Sequence, residues 1–405
     1  MHVVILSRGR FPGNDGPYRR TKLLGAGLVK NGCDITVIVA YPPAEKECDT
    51  EFIDKYGYQY IHTINSGYSE NPTLITDVFH KIIGTLIVCK LFRMLHKQKP
   101  VDIIFIRGIG LIELVVALVL KKLYGSKVVI DKDDVNFQLS AHHQITPRNL
   151  LSGINIALGE WIIKRYADIV FTINSHLRKM YEGKVKGQVR MSPPSLFESD
   201  EYDNVPKDIN VFADCKADFK LVCVGASESY FYGIFPFIKA LSELRQRYDL
   251  HLYIVGTKKE TYMNTLSEKL LEDNMENHTT FLSNVAPEKM LSLYANADIL
   301  LLAQVTPEIA EGGFPAKTAE YFASGVPVIT TLFSDLGKYF VDEKNCLVVQ
   351  HDDIASYKAA FCKLFDSDEL CESLGKEGKK TAIEYFDYLK GTRPTINYFA
   401  QICTN

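Results

Sequence analysis

Short apolar runs alternate with helical patterns along almost the whole chain, and the alternation occurs as two separate series. In the first, Val3–Leu6, Asp34–Ala40, Asp102–Ile106, Lys127–Ile130 and Asp168–Ile173 read as strands. Helical patterns at about Thr21–Lys30, Ile112–Lys122 and Ile154–Ala167 fall between them. The runs are mostly apolar rather than apolar on every second residue. Such strands are buried on both faces, the signature of a parallel sheet covered by helices. The pattern lapses over Ser192–Phe219, which carries Pro193, Pro194, Pro206 and scattered acidic residues. It resumes at Leu221–Gly225 and continues through strands at His251–Gly256, near Phe281, Asp298–Ala303 and Val326–Thr331. The expected fold class is therefore α/β, with two doubly wound parallel-sheet domains at 1–200 and 201–384. A C-terminal helix at about 385–405 is expected to pack back on the first.

Charge and cysteine usage remove several function classes. The net charge of −3 excludes a nucleic-acid-binding polycation. The balance is uneven, however: residues 1–200 hold 26 Lys+Arg and 19 Asp+Glu, whereas 201–405 hold 20 and 30. A basic first half and an acidic second half imply different partners. Nine cysteines stand singly with no C-x-x-C pair, which argues against a zinc ribbon, a redox dithiol or a disulfide framework. No run of 18 apolar residues is present and the first residues do not read as a signal peptide, so a cytoplasmic location is expected.

Parallel sheets place ligands beyond the carboxyl ends of their strands. Two such loops stand out. Ser7–Tyr18 (SRGRFPGNDGPY) offers Gly13 and Gly16 for close backbone approach and Arg19 just beyond, a candidate diphosphate or acceptor loop. Gly25-Ala26-Gly27 lies inside the following helix and is not a cofactor fingerprint. The second loop is Glu308–Thr330 (EIAEGGFPAKTAEYFASGVPVIT). There Gly313 precedes Phe314, Pro315 suits a first helical position, and Lys317 adds positive charge to a helix start that attracts phosphate. Glu320 follows among small and apolar neighbours, and Gly325 ends the helix. Asp131-x-Asp133 after an apolar strand could hold a divalent metal, but the pattern is weak and no metal is expected. Asp134 is a candidate cleft residue, and His142 and His143 lie nearby.

The stretch Phe314–Ile329 (FPAKTAEYFASGVPVI) resembles the nucleotide-sugar signature of the retaining GT-B glycosyltransferases of family 4, the group 1 glycosyltransferases. Phe281–Val285, Met290–Leu302 and Asn345–Val349 resemble the family's segments around that signature, and Leu28–Val39 and Ala167–Ser175 fit it more loosely. The resemblance implies a GT-B fold, two Rossmann-like domains facing across a cleft. It implies a donor site of Gly225, Ser227, Gly256, Val285, Gly313, Phe314, Pro315, Ala316, Lys317 and Glu320, with Glu320 on the donor ribose. It further implies transfer from a UDP- or GDP-sugar to a sugar or lipid-linked acceptor hydroxyl, with retention of configuration and no metal or other cofactor.

Three departures from the family pattern bear on the site. Its first glutamate, separated from the second by seven residues, falls on Gly312 here with Glu311 beside it. Its Arg and Lys after the first strand of the second domain are absent from Gly225–Gly233, leaving Lys317 and the N-terminal arginines to supply charge. Its His-Asp pair is replaced by Asp133-Asp134. Two alternatives follow: another GT-B enzyme such as a nucleotide-sugar epimerase or phosphorylase, or a non-catalytic nucleotide-sugar-binding protein. Finally, Ile82–Lys99 mixes apolar residues with Lys90, Arg93, Lys97 and Lys99, a pattern that can lie on an anionic membrane surface. Peripheral attachment at the inner face of a membrane is the corresponding expectation.

Overall fold

The computed structural model describes residues 1–7, 16–39, 51–63, 74–107, 110–133, 147–203, 205, 211–212, 215–226, 231–256, 260–283, 285–302, 312–351 and 353–404. The chain forms two compact units, one of Met1–Pro194 with Tyr388–Asn405 and one of Ser195–Asp387.

The first unit runs β1 (His2–Ser7), α1 (Gly16–Lys30), β2 (Asp34–Val39), β3 (Glu51–Ile53), β4 (Gln59–His62), α2 (Leu74–Gln98), β5 (Ile103–Arg107), α3 (Leu111–Tyr124), β6 (Lys127–Lys132), α4 (Pro147–Tyr166), β7 (Ile169–Thr172), α5 (Ser175–Tyr181) and β8 (Gln188–Met191). Its sheet has the order β3-β4-β2-β1-β5-β6-β7-β8. Every pairing is parallel except that of β3 with β4. Strand order reverses between β1 and β5, where Ser7 pairs with Arg107, and such a switch point is where an open sheet binds ligands. One face of the sheet is covered by α2, α3, α4 and α5, whose Val88, Phe92, Leu114, Leu120, Ile163 and Tyr181 share one core with the strands.

The second unit follows as α6 (Ser199–Asp203), β9 (Phe219–Ala226), α7 (Phe235–Leu244), β10 (Leu250–Gly256), α8 (Glu260–Glu272), β11 (Thr279–Ser283), α9 (Pro287–Ala295), β12 (Ile299–Leu302), α10 (Lys317–Ala323), β13 (Val328–Thr330), β14 (Leu347–Val348), α11 (Ile354–Phe365) and α12 (Asp368–Tyr385). The last helix, α13 (Tyr388–Thr404), belongs to the first unit. The second sheet is wholly parallel, in the order β11-β10-β9-β12-β13-β14. Its switch point lies between β9 and β12.

Glycines set the close approaches in both units. A Cβ on Gly27 would stand 2.2 Å from Thr392 Oγ1 and 2.5 Å from the Tyr388 carbonyl oxygen, so the Gly-Ala-Gly of α1 is the seat of α13. A Cβ on Gly375 of α12 would stand 1.9 Å from the Gly325 carbonyl oxygen at the end of α10. Gly325 itself has φ +77, a left-handed conformation that stops the helix.

Several sequence expectations change in detail. α1 begins at Gly16 rather than near Thr21, and β3, β4, β8 and α5 were not anticipated. The strands among these are short, lie toward the sheet edges and lack a long apolar run. Pro315 does not open its helix: α10 begins at Lys317, and the Thr318 amide donates to the Pro315 carbonyl at 3.0 Å. The segment after Met191 is not an open linker throughout. Ser195, Leu196 and Phe197 are buried, and the Phe197 amide bonds the Phe386 carbonyl at 3.1 Å.

Candidate functional site

In the second unit, the residues singled out from sequence gather along the carboxyl edge of the sheet. Gly225, the penultimate residue of β9, has φ +100, a conformation favouring glycine, at the switch point of the sheet. Gly256 ends β10, where the register shifts so that it faces Ala226. Val285 follows β11 and is half-buried. Gly312 and Gly313 form the approach to α10, with Gly312 buried.

Glu320 lies in the first turn of α10 and is 3% exposed. A carboxylate taken this far from water needs hydrogen-bond donors or a counter-charge. Both are present at Oε2: the Tyr294 hydroxyl from α9 donates at 3.0 Å, and Lys317 Nζ lies at 3.4 Å. Burial, then the Glu320 charge, push the Tyr294 hydroxyl well above the ordinary tyrosine value, so it stays protonated and donates. Tyr321, the next residue, stacks edge-on against Tyr294 with centroids 5.3 Å apart. Its hydroxyl accepts from the Val224 amide at 2.7 Å. Two tyrosines therefore tie the Glu320 helix to α9 and to the end of β9 beside Gly225. Neither was singled out from sequence, because the partners are distant in the chain.

The loop before α10 is held from two sides. Phe314 packs against Tyr339 and Phe386, with centroids 5.9 and 5.8 Å away, so its ring is spent on packing. Pro315 is buried and Ala316 exposed. The Ala316 carbonyl accepts from Ser195 Oγ at 2.8 Å. Ala316 caps α10 with no side-chain bond. The later helix start leaves a shorter array of amides than Pro315 at the first position would have given.

In the first unit, the switch point carries a buried ion cluster that the sequence did not announce. Arg107 ends β5, Asp131 lies in β6, and both Arg107 and Arg20 of α1 reach Asp131. Asp131 accepts from Arg20 at 3.0 and 3.1 Å and from Arg107 at 3.1 Å, with its side chain wholly buried. Burial pushes the Asp131 carboxyl up, but the Arg20 and Arg107 guanidiniums outweigh it and hold it below the usual carboxylate range. Arg20 also bonds Ser192 Oγ and the Pro193 carbonyl, both at 2.6 Å, and the Pro194 carbonyl at 3.4 Å. Its five N–H groups are thus engaged inside the unit. Arg107 takes Thr21 Oγ1 at 2.7 Å and pairs with Asp133.

One expectation is corrected by this cluster, that the N-terminal arginines stand ready to supply charge. Asp131 and Asp133 are both bound to guanidiniums. Arg20 is consumed internally and is not a charge held ready for a diphosphate. Arg19 is half-buried. Gly16 is exposed at the start of α1, and a Cβ there would meet nothing within 4 Å. Neither packing nor backbone conformation therefore demands glycine at this position. Gly13, Asp134, His142, His143, Ser227 and Glu311 lie outside the described residues.

Known proteins are similar to this chain in sequence and in fold. Residues 206–381 match the family model of glycosyl transferases group 1, nearly the whole of the second unit. A curated relative, the MMP α-(1→4)-mannosyltransferase of Mycolicibacterium hassiacum, is 24% identical over 179 residues. That alignment covers 44% of this chain and 42% of the relative. Sucrose-phosphate synthase from Thermosynechococcus elongatus superposes with a TM-score of 0.75 at 15% identity, over 100% of this chain and 99% of that one. Anabaena HepE, solved with UDP, gives 0.69 at 14% identity over 99% and 100%. The fold is GT-B, two Rossmann-like domains each built on a parallel sheet. The second unit is similar to the group 1 glycosyl transferases, and the chain spans less than half the length of the curated relative it matches.

Proposed function

We propose that the chain transfers a sugar from a nucleoside-diphosphate sugar, a UDP- or GDP-sugar, to the hydroxyl of a sugar or lipid-linked acceptor in cell-surface polysaccharide or glycolipid synthesis. Retention of configuration and independence of metal are part of the reading, as is a peripheral place on the cytoplasmic side of a membrane. The observation that carries it is the buried Glu320 carboxylate, held by Tyr294 and Lys317 at the ligand-binding edge of a unit similar to the group 1 glycosyl transferases. An ionised carboxylate accepts hydrogen bonds from two neighbouring hydroxyls at once, as a ribose presents them. Lys317 is 37% exposed, so its ammonium reaches solvent and can meet a diphosphate. Support for the donor class comes from the HepE structures solved with UDP, with UDP and glucose, and with UDP-glucose. The second unit takes the donor and the first the acceptor.

Calorimetric titration with UDP, GDP and the bare nucleosides tests the reading. A hydrogen bond to a charged group contributes about 1.5–3 kcal/mol, or roughly 10–150-fold in affinity. Glu320→Ala and Glu320→Gln are expected to lose affinity of that order for nucleoside and diphosphate alike. Tyr294→Phe, which leaves the carboxylate in place but unanchored on one side, should weaken both by a smaller common factor. Lys317→Ala should weaken the diphosphate and leave the nucleoside nearly unchanged. Unaltered UDP and GDP binding by folded Glu320→Ala would make Glu320 a structural residue and remove the basis of the donor site. Binding without turnover across a broad acceptor panel would favour the non-catalytic alternative.

A further inference from the structure

Ten of the seventeen large apolar side chains exposed among the described residues lie on only three helices, α2, α3 and α4. These helices are neighbours in one layer on one face of the first sheet. A Cβ on Gly159 of α4 would lie 3.4 Å from Leu114 of α3, so those two helices are in direct contact. Their inward sides fill the core. Their outward sides carry what a water-facing helix normally lacks.

On α3, Ile112, Val115, Val119 and Leu123 follow helical spacing and are 39–67% exposed. On α4, Ile154, Leu158 and Trp161 make a second stripe, 47–57% exposed, and Trp161 meets Tyr166 edge-on at 5.9 Å. On α2, Leu86 and Met94 stand among Lys90, Arg93 and Lys97. Lys122 and Arg165 complete the exposed charges. No Asp or Glu is exposed among the described side chains of the three helices. The whole first unit holds 28 Lys+Arg against 17 Asp+Glu, a net of +11, which leaves the second at −14.

We propose that the outer face of the α2–α4 layer docks on the surface of an anionic lipid bilayer, with the α3 and α4 stripes entering the headgroup boundary and the cations meeting lipid phosphates. This deepens the reading of a lipid-linked acceptor and rests on it. The chemistry selects lipid over protein. Protein interfaces are depleted in lysine, whereas three of these five cations are lysines. A second copy would set one +11 unit against another. Amphipathic surfaces that lie on membranes combine an apolar face, basic residues and interfacial tryptophan or tyrosine, and each cation near an anionic surface adds to the attraction. The sequence pattern at Ile82–Lys99 showed only the basic helix. The apolar portion comes from α3 and α4, where the structure brings two distant segments together.

Trp161 is the only tryptophan in the chain, so it reports on this face directly. The full chain is mixed with vesicles of phosphatidylcholine and phosphatidylglycerol, or of phosphatidylcholine alone. With the anionic vesicles, emission should shift to shorter wavelength and be quenched by brominated lipid, and the protein should sediment with them. High salt should weaken the association. A Val119→Ser/Leu158→Ser variant, changed only at exposed positions, should bind at least about tenfold more weakly. Its UDP titration without vesicles should match the parent. Unchanged emission with anionic vesicles, or equal sedimentation of variant and parent, would overturn the proposal. So would equal binding to both vesicle types, or self-association that needs Val119 and Leu158 without any lipid binding. None of these results touches the donor reading, which the nucleotide titrations decide separately.

Discussion

Asp131 shows how one residue can be legible as a type while its partners stay hidden. An aspartate at the end of an apolar strand, two positions before another, suggests cation chemistry, and the cation proves to be two guanidiniums. No short-range pattern carries that information, since Arg20 and Arg107 lie 111 and 24 residues away. Glu320 was legible for the opposite reason. Its helix, its loop and its terminating glycine are all local, and only its donor Tyr294 is remote. The Asp131 cluster also predicts a pH dependence. Its carboxyl titrates lower in the folded chain than in the unfolded one. The unfolded state therefore binds the proton first as pH falls, and the stabilisation is complete above the unfolded value of about 3.9 and lost as pH drops through the folded value. Removing one partner of a buried ion group leaves the other uncompensated, at a cost of about 3–5 kcal/mol. Asp131→Asn should therefore lower stability by that order near neutral pH, measured by urea unfolding. The gap to the parent should narrow as pH is lowered below about 4. A gap independent of pH would mean that the carboxylate's charge is not what the cluster uses.

Among the elements, the buried strands were the most legible, because β1, β5 and β7 bury every residue and are built on the apolar runs Val3–Leu6, Ile103–Ile106 and Ile169–Phe171. β3 and β8 were not, because edge strands need bury little: every residue of β8 is half-buried. Helix ends were read to within a few residues where a glycine stops the chain, as at Gly125 and Gly325, both left-handed. They were read less well where backbone turns set the start, as at Lys317. What no pattern could reveal is how closely two helices approach. α12 lies against the end of α10 through Gly375 and Gly378, and a Cβ on Gly378 would stand 2.9 Å from Phe322 Cδ1. Alanine is ordinarily the better helix former by about 0.8–1.0 kcal/mol. At Gly375 the new methyl meets a backbone carbonyl at 1.9 Å, which cannot swing aside as a side chain can. Gly375→Ala should therefore destabilise by about 1–3 kcal/mol, with thermal unfolding as the check. A gain in stability would show that α12 shifts freely and that this contact does not hold the Glu320 helix.

Across the whole molecule, the unit that holds the first sheet is closed by the last helix. α13 packs on α1, so residues from the two ends of the chain complete one core: Phe399 meets Phe105 and Phe171, each at 6.2 Å. Thr392 stands against Gly27, and Asn31 Nδ2 donates to the Gly27, Leu389 and Thr392 oxygens at 2.7–3.2 Å. The sequence shows α13 as a helix with Pro394 inside it, but its destination depends on a seat that only Gly27 leaves open. A larger side chain at that seat should act on the first unit as a whole. Gly27→Val places carbon where Thr392 Oγ1 and the Tyr388 carbonyl already lie, and valine adds the restriction of a branched side chain within a helix. Calorimetry of the full chain should show the unfolding temperature of the first unit lowered by several degrees. A ligand that binds only the folded state stabilises the unit that holds it, by an amount set by its concentration relative to Kd. If the donor site lies in the second unit alone, the stabilisation by saturating UDP should be the same in Gly27→Val as in the parent, and so should the UDP affinity at a temperature where both are folded. An affinity that falls together with the stability of the first unit would show that residues of that unit contribute to holding the nucleotide.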